Sequence, residues 1–113
     1  MNYNEIKSLL NSIDDPVLKL ETLMDIGKEL PPIPAGKIGT EIKGCASRVE
    51  IWHDEQGKFY GTADSALVRG IVSILLSMKE SGTDFSEFSD LGLSLGAGRI
   101  NGTTAMIEYL KTL

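Results

Sequence analysis

The sequence predicts an α+β fold, in which a small antiparallel sheet of about three strands packs against N-terminal and C-terminal helices. Three observations lead to this prediction: apolar residues recur every three to four positions near the N-terminus, alternate with polar residues after residue 40, and return to helical spacing after residue 62. The chain has 113 residues, of which 42% are hydrophobic and 24% charged. These values are typical of one globular domain, so residues 1–113 are predicted to form a single domain.

The segment 3–29 is predicted to form two helices joined at the aspartate pair 14–15. Either aspartate can cap the second helix, and Pro16 suits its first turn because a proline there loses no helical hydrogen bond. The apolar stripe continues until the proline pair 31–32, which ends any helix.

An antiparallel meander of about three short strands is predicted from residue 40 onwards. Its first apolar positions are Ile42, Val49 and Ile51. Gly57 lies at the sharp point of the turn HDEQGKF, and KFYGT can return as the partner strand. Cys45, the only cysteine, falls at the joint between the first two strands.

The stretch TADSALVRGIVSILLSMKESG is the strongest helix signal, with Asp64 as its predicted cap. Its broad apolar face predicts burial against the sheet. Gly70 weakens a helix by about 1 kcal/mol relative to alanine, so close packing of a neighbouring element is expected there. Residues 84–99 are predicted to be a loop that includes a helical turn, and residues 100–113 a final helix.

Composition excludes several classes of function. The net charge is −5 and no cluster of lysine and arginine occurs, which argues against nucleic acid as a partner. No apolar run approaches the ~18 residues of a membrane span, and the N-terminus lacks the order of a secretory signal, so a cytoplasmic location is expected. One cysteine can form neither an internal disulfide nor a thiolate metal site, and no cofactor or metal is predicted.

Cys45 is the candidate reactive residue. Free cysteines are often small buried apolar groups, so an inert core cysteine in a plain interaction domain is one interpretation. The local sequence favours a reactive thiol, because Lys43 and Arg48 can stabilise the thiolate. Small neighbours leave room around the sulfur: Gly44, Ala46 and Ser47.

A second interpretation is a small cysteine-dependent enzyme, a thiol hydrolase or peroxidase, with Cys45 as nucleophile and His53 as base. His53 is the only histidine and lies eight positions after the cysteine. The competing interpretation of His53 is a surface residue at a strand end. A dinucleotide-binding loop at GAGRING is rejected, because the third glycine comes one position late and no strand precedes it.

Three stretches, taken in order, carry a further pattern. The first is KGCASRVEIW, through Gly44, Cys45, Ser47 and Val49. The second is GTADSALVRGIVSILL, through Gly61, Asp64, Val68, Arg69 and Gly70. The third is GRINGTTAMI, through Arg99, Gly102, Ala105, Met106 and Ile107. Together, over about residues 16–112, they resemble the SufE family of sulfur-acceptor proteins, the Fe–S metabolism-associated domain.

The resemblance implies that Cys45 takes persulfide sulfur from a PLP-dependent cysteine desulfurase, stimulates that enzyme, and delivers the sulfur to an iron–sulfur scaffold complex. Such a protein is a carrier rather than an enzyme, and we expect a monomer that docks transiently. The residues implied to support the cysteine are Gly44, Ser47, Asp64, Arg69 and Arg99. Arg99 is the candidate for supporting the anionic sulfur. A cysteine on a joint beside Gly44 could also turn inward to shelter a persulfide and swing outward to a partner.

Overall fold

The computed structural model describes all 113 residues and confirms the predicted α+β fold. Three strands form one antiparallel sheet in the order β1-β2-β3. The elements, in chain order, are α1 (Tyr3–Asn11), α2 (Pro16–Gly27), β1 (Thr40–Glu41), β2 (Val49–His53), β3 (Phe59–Ala63), α3 (Ala66–Ser81), a 3₁₀ helix (Phe85–Leu91) and α4 (Ala97–Lys111). None of the helices combines the length and the apolar character needed to cross a bilayer.

The two N-terminal helices are joined at the aspartate pair, as predicted. Asn2 caps α1 by accepting the backbone N–H of Glu5 at 2.9 Å, and the Glu5 carboxylate accepts the Asn2 N–H in return. Asp15 caps α2 by accepting the N–H of Val17 at 2.9 Å, and Pro16 occupies the first helical position. Side-chain oxygens therefore satisfy N–H groups that the first turn of each helix leaves free.

Helix α3 is the central element, because the sheet and α2 pack on opposite faces of it. On the sheet side, a Cβ on Gly61 would lie 3.1 Å from Val72 Cγ1 and 3.6 Å from Leu76 Cδ1. On the other side, a Cβ on Gly27 would lie 2.6 Å from the backbone nitrogen of Gly70. The close packing predicted at Gly70 is confirmed, since only two glycines allow the backbones of α2 and α3 to approach this closely.

The predicted cap of α3 at Asp64 is wrong by one residue. Ser65 is the N-cap, and its Oγ accepts the N–H of Val68 at 3.4 Å. Asp64 instead binds the backbone of Arg48, through its carboxylate and its own N–H. The helix begins one residue later than predicted because this tertiary contact uses the aspartate.

Helix α4 begins three residues earlier than the predicted start at residue 100. Gly96 is its N-cap, with φ +79°, and makes no side-chain capping bond. Its first turn therefore includes Ala97, Gly98 and Arg99, which the sequence placed in a loop. The helical turn expected between residues 84 and 99 is the 3₁₀ helix.

Candidate functional site

Cys45 lies in the loop 42–48 between β1 and β2, as predicted, and the loop is anchored at both ends. At its start, the Ile42 N–H donates to the carbonyl oxygen of Val49 at 2.9 Å. At its end, the Arg48 N–H donates to Asp64 Oδ2 at 3.4 Å, and the Asp64 N–H donates to the Arg48 carbonyl oxygen at 3.3 Å. The anchors hold the base of this loop, which we call the cysteine loop, and leave its tip to rest on α4.

The tip of the cysteine loop packs against α4 where glycines allow it. The Cys45 Sγ donates to the carbonyl oxygen of Gly102 at 3.5 Å. A Cβ on Gly102 would lie 3.5 Å from that sulfur. Gly44 has φ +90°, and a Cβ there would lie 3.3 Å from the Cβ of Ala105. A glycine at position 44 thus serves both the left-handed backbone and the approach to α4.

Cys45 faces an open cavity of about 360 Å³, which we call the cysteine cavity. Its inner wall consists of buried apolar residues: Val68, Ile71, Leu95 and Met106. Exposed and half-buried residues form its rim: Ala46, Ser47, Ser65, Gly96, Ala97, Gly98 and Arg99. The N-cap of α3, Ser65, and the first residues of α4 contribute to this rim, so two helix N-termini border the cavity that contains the sulfur.

The resting thiol is neutral, because burial raises the pKa of Cys45 above its ordinary value. The expectation that Lys43 and Arg48 favour the thiolate is therefore wrong. Lys43 Nζ lies 3.8 Å from the Glu41 carboxylate, and Arg48 Nε lies 3.5 Å from that of Glu50. Both basic groups are turned towards strand carboxylates and solvent, so proximity in sequence does not become proximity to the sulfur.

The structure brings some of the predicted supporting residues to the cavity and leaves others elsewhere. Ser47 and Arg99 line it together with Cys45, although the Arg99 guanidinium donates to the Leu95 carbonyl oxygen at 3.3 Å. Arg69 lies outside it and donates to the carbonyl oxygen of Ala63 at 3.1 Å, joining the end of β3 to α3. Roles of these side chains in sulfur chemistry remain predictions.

His53 does not share the cavity with Cys45. His53 is the last residue of β2, whereas the cysteine loop leads into the first residue of that strand, so the two lie at opposite ends of β2. Its ring lies 5.2 Å from that of Phe59, and the side chain is exposed, as expected for a surface histidine at a strand end. No group of three or more His, Cys, Asp or Glu side chains converges anywhere in the structure.

Sequence reasoning missed two parts of the cavity, Ser65 and the Leu95–Gly98 segment. Aspartate and serine are equally good caps, so the pair at 64 and 65 gave no basis for choosing the serine. Glycines at 96 and 98 indicated a loop, although Gly96, with φ +79°, is the N-cap of α4. Neither the choice of Ser65 over Asp64 as the cap nor the start of α4 at Ala97 could be predicted from the local sequence.

Known proteins resemble this chain along most of its length. The model of the SufE family, described as the Fe–S metabolism associated domain, matches residues 4–113. An uncharacterised SufE-like protein of Synechocystis sp. is 34% identical over 112 residues, which cover 87% of this chain and 70% of the relative. The sulfur acceptor protein CsdE of Escherichia coli is 33% identical over 108 residues, which cover 81% of this chain and 74% of CsdE. A SufE-like protein of Rhizobium meliloti is 32% identical, with 80% and 78% covered.

Proposed function

Since the chain belongs to the SufE family, the Fe–S metabolism associated domain, we propose that it is a sulfur acceptor that carries persulfide sulfur on Cys45. The donor is a PLP-dependent cysteine desulfurase, which the protein stimulates by removing its product. The recipient is an iron–sulfur scaffold complex. One observation carries the proposal: the only cysteine lies on the tip of an anchored loop and faces a cavity large enough for a second sulfur.

The transfer step follows the rules of thiol–disulfide exchange. The Cys45 thiolate attacks the outer sulfur of the desulfurase persulfide, so a new sulfur–sulfur bond forms on Cys45. The sulfur–sulfur bond of the donor breaks, and the donor cysteine leaves as a thiolate that takes up a proton. No net oxidation occurs, so no external electron acceptor is required.

The cysteine loop supports a movement between a sheltered and an exposed sulfur. The resting sulfur is half-buried, and its pKa is raised, so little thiolate is present until the loop leaves the cavity. The loop tip is held by the contact of Gly44 with Ala105 and the bond from Cys45 to Gly102, whereas its base is anchored by backbone bonds. We therefore propose that the tip swings outward on a fixed base when the desulfurase docks.

A chain with one cysteine suits the sheltering of a persulfide. A second thiol nearby could attack the inner sulfur and release the cargo as sulfide, and this chain has none. The apolar inner wall of the cysteine cavity limits contact of the bound sulfur with water. The same proposal assigns the protein to the cytoplasm, where reducing conditions keep an unpaired cysteine as a thiol.

The test is sulfur loading by a cysteine desulfurase supplied with ³⁵S-cysteine, with the product analysed by mass spectrometry. We expect one sulfur atom on Cys45 and faster consumption of cysteine by the desulfurase. Cys45→Ser should abolish both while the fold persists, because a serine in a half-buried loop costs little packing. Loading of a folded Cys45→Ser variant, or no loading of the wild type, would refute the carrier role.

A further inference from the structure

Ser65 lines the cysteine cavity, but it is not one of the matching residues on which the family resemblance was based. It precedes α3, a 16-residue helix packed between the sheet and α2, so its position is fixed by the core. Ser47, the other serine of the cavity, lies on the cysteine loop and moves with the sulfur. Ser65 is therefore the hydroxyl that stays in the cavity whichever position the loop takes.

The capping bond of Ser65 uses its oxygen as an acceptor and leaves its hydroxyl hydrogen available. The oxygen accepts the N–H of Val68, so one lone pair is directed at the first turn of α3. A hydroxyl that accepts one hydrogen bond keeps its own hydrogen free to donate, and Ser65 lines the cavity together with Cys45. Ser65 thus offers a donor to whatever occupies the cavity beside Cys45.

Loading with sulfur changes what Cys45 needs from its surroundings. The empty thiol donates to the carbonyl oxygen of Gly102 at 3.5 Å. A persulfide is a stronger acid than a thiol and is anionic near neutral pH, so it has no hydrogen to give to that carbonyl. The outer sulfur lies about 2 Å beyond Sγ, which is the length of a sulfur–sulfur bond. Repelled by the Gly102 oxygen, the outer sulfur turns into the cavity and requires a hydrogen-bond donor there.

From this geometry we infer that the Ser65 hydroxyl donates its hydrogen to the outer sulfur of the Cys45 persulfide and holds it in the cysteine cavity. The inference rests on the proposed carrier function and adds to it the residue that stabilises the sheltered cargo. Because Ser65 stays behind when the loop swings out, it stabilises the loaded, sheltered state without strengthening the exposed one. The empty protein gains nothing from this donor, since its thiol is already bonded to Gly102.

The experiment prepares the persulfide without a desulfurase, by treating a mixed disulfide on Cys45 with hydrosulfide, which displaces the small thiol. Iodoacetamide alkylation is then followed from pH 4 to pH 10 by mass spectrometry, for both the persulfide and the empty thiol. Ser65→Gly removes the donor, and glycine is tolerated at an N-cap, while Ser65→Thr keeps the hydroxyl and the cap. Asn2→Gly is the matched control, because it removes the cap of α1, outside the cavity.

We expect Ser65→Gly to raise the apparent pKa of the persulfide by about one unit, a roughly tenfold loss of anion at low pH. The thiol profile should be unchanged, and Ser65→Thr and Asn2→Gly should both match the wild type. Equal persulfide profiles in Ser65→Gly and wild type would overturn the inference, as would a thiol profile that shifts by the same amount. A desulfurase that fails to load the wild type would instead refute the carrier function, and this separate assay distinguishes the two failures.

Discussion

Gly44→Ala tests whether the tip of the cysteine loop can leave α4 on its own. The substitution places a side chain at φ +90°, where an L-residue is strained, and sets its Cβ 3.3 Å from the Cβ of Ala105. A left-handed residue costs about 1–2 kcal/mol. If the tip is the least stable part of the fold, this strain is relieved by moving the tip away from α4, and the exposed state gains about 5- to 30-fold in population.

The assay is the alkylation rate of Cys45 in the folded protein, measured beside the free energy of unfolding in urea. We expect the rate to rise by about 5- to 30-fold in Gly44→Ala, because the sulfur is exposed more often. The pKa read from the pH dependence should fall towards the ordinary thiol value, since burial is what raises it. The free energy of unfolding should fall by no more than the strain introduced, about 1–2 kcal/mol.

Gly57 provides the matched control. It has φ +81° in the turn between β2 and β3, and a Cβ there would meet nothing within 4 Å. Gly57→Ala should therefore introduce similar backbone strain without changing the alkylation of Cys45. If Gly44→Ala destabilises the protein but leaves the alkylation rate at the wild-type value, the tip is not an independently moving unit and the swing is refuted.

The same structure supports four further predictions. Burial raises the pKa of Cys45, so the folded state holds the thiol proton more tightly than the unfolded state does. This contribution to the free energy of unfolding is complete below the pKa of the unfolded thiol and is lost as the pH rises through the raised pKa. Urea unfolding across alkaline pH should show this loss in the wild type and not in Cys45→Ser. Gly70→Ala should lower the free energy of unfolding by about 1–3 kcal/mol, because a Cβ would lie 2.7 Å from Leu23 Cγ. Gly98 lies in α4, and a Cβ there would meet nothing within 4 Å, so Gly98→Ala should raise the free energy of unfolding by about 0.5–1 kcal/mol. A lower free energy of unfolding in Gly98→Ala would contradict the packing argument. His53→Ala should leave sulfur loading by a desulfurase unchanged, and a large decrease would favour the enzyme interpretation.

Local patterns in the sequence were sufficient for the elements and for the location of the cysteine. The aspartate pair before Pro16, the alternation after residue 40 and the apolar face of α3 each depend on neighbours in sequence, and the structure has the corresponding elements. Even the glycine at position 70 could be interpreted, because a glycine inside a strong helix has few purposes besides close packing.

The errors have a common physical cause, which is that the side-chain partners and backbone conformations that decided the outcome do not follow from residue type and spacing alone. Asp64 binds the backbone of Arg48 instead of capping α3, and α4 begins at Ala97 after Gly96, whose φ is +79°. Arg48 was expected to lower the pKa of the thiol from three positions away, yet its guanidinium is bound by Glu50. The state of the sulfur depends on burial and on Gly102, which lies 57 positions further along the chain.

A raised thiol pKa is consistent with a sulfur carrier when the empty and loaded states are compared. The empty thiol is neutral and bonded to the Gly102 carbonyl, and a neutral thiol resists oxidation because the thiolate is the reactive form. Loading removes the hydrogen on which that bond depends, so the persulfide loses the hydrogen bond from Sγ to α4. The cargo itself therefore weakens the resting position of the loop, and the donor on Ser65 decides how long the loaded sulfur stays sheltered before delivery.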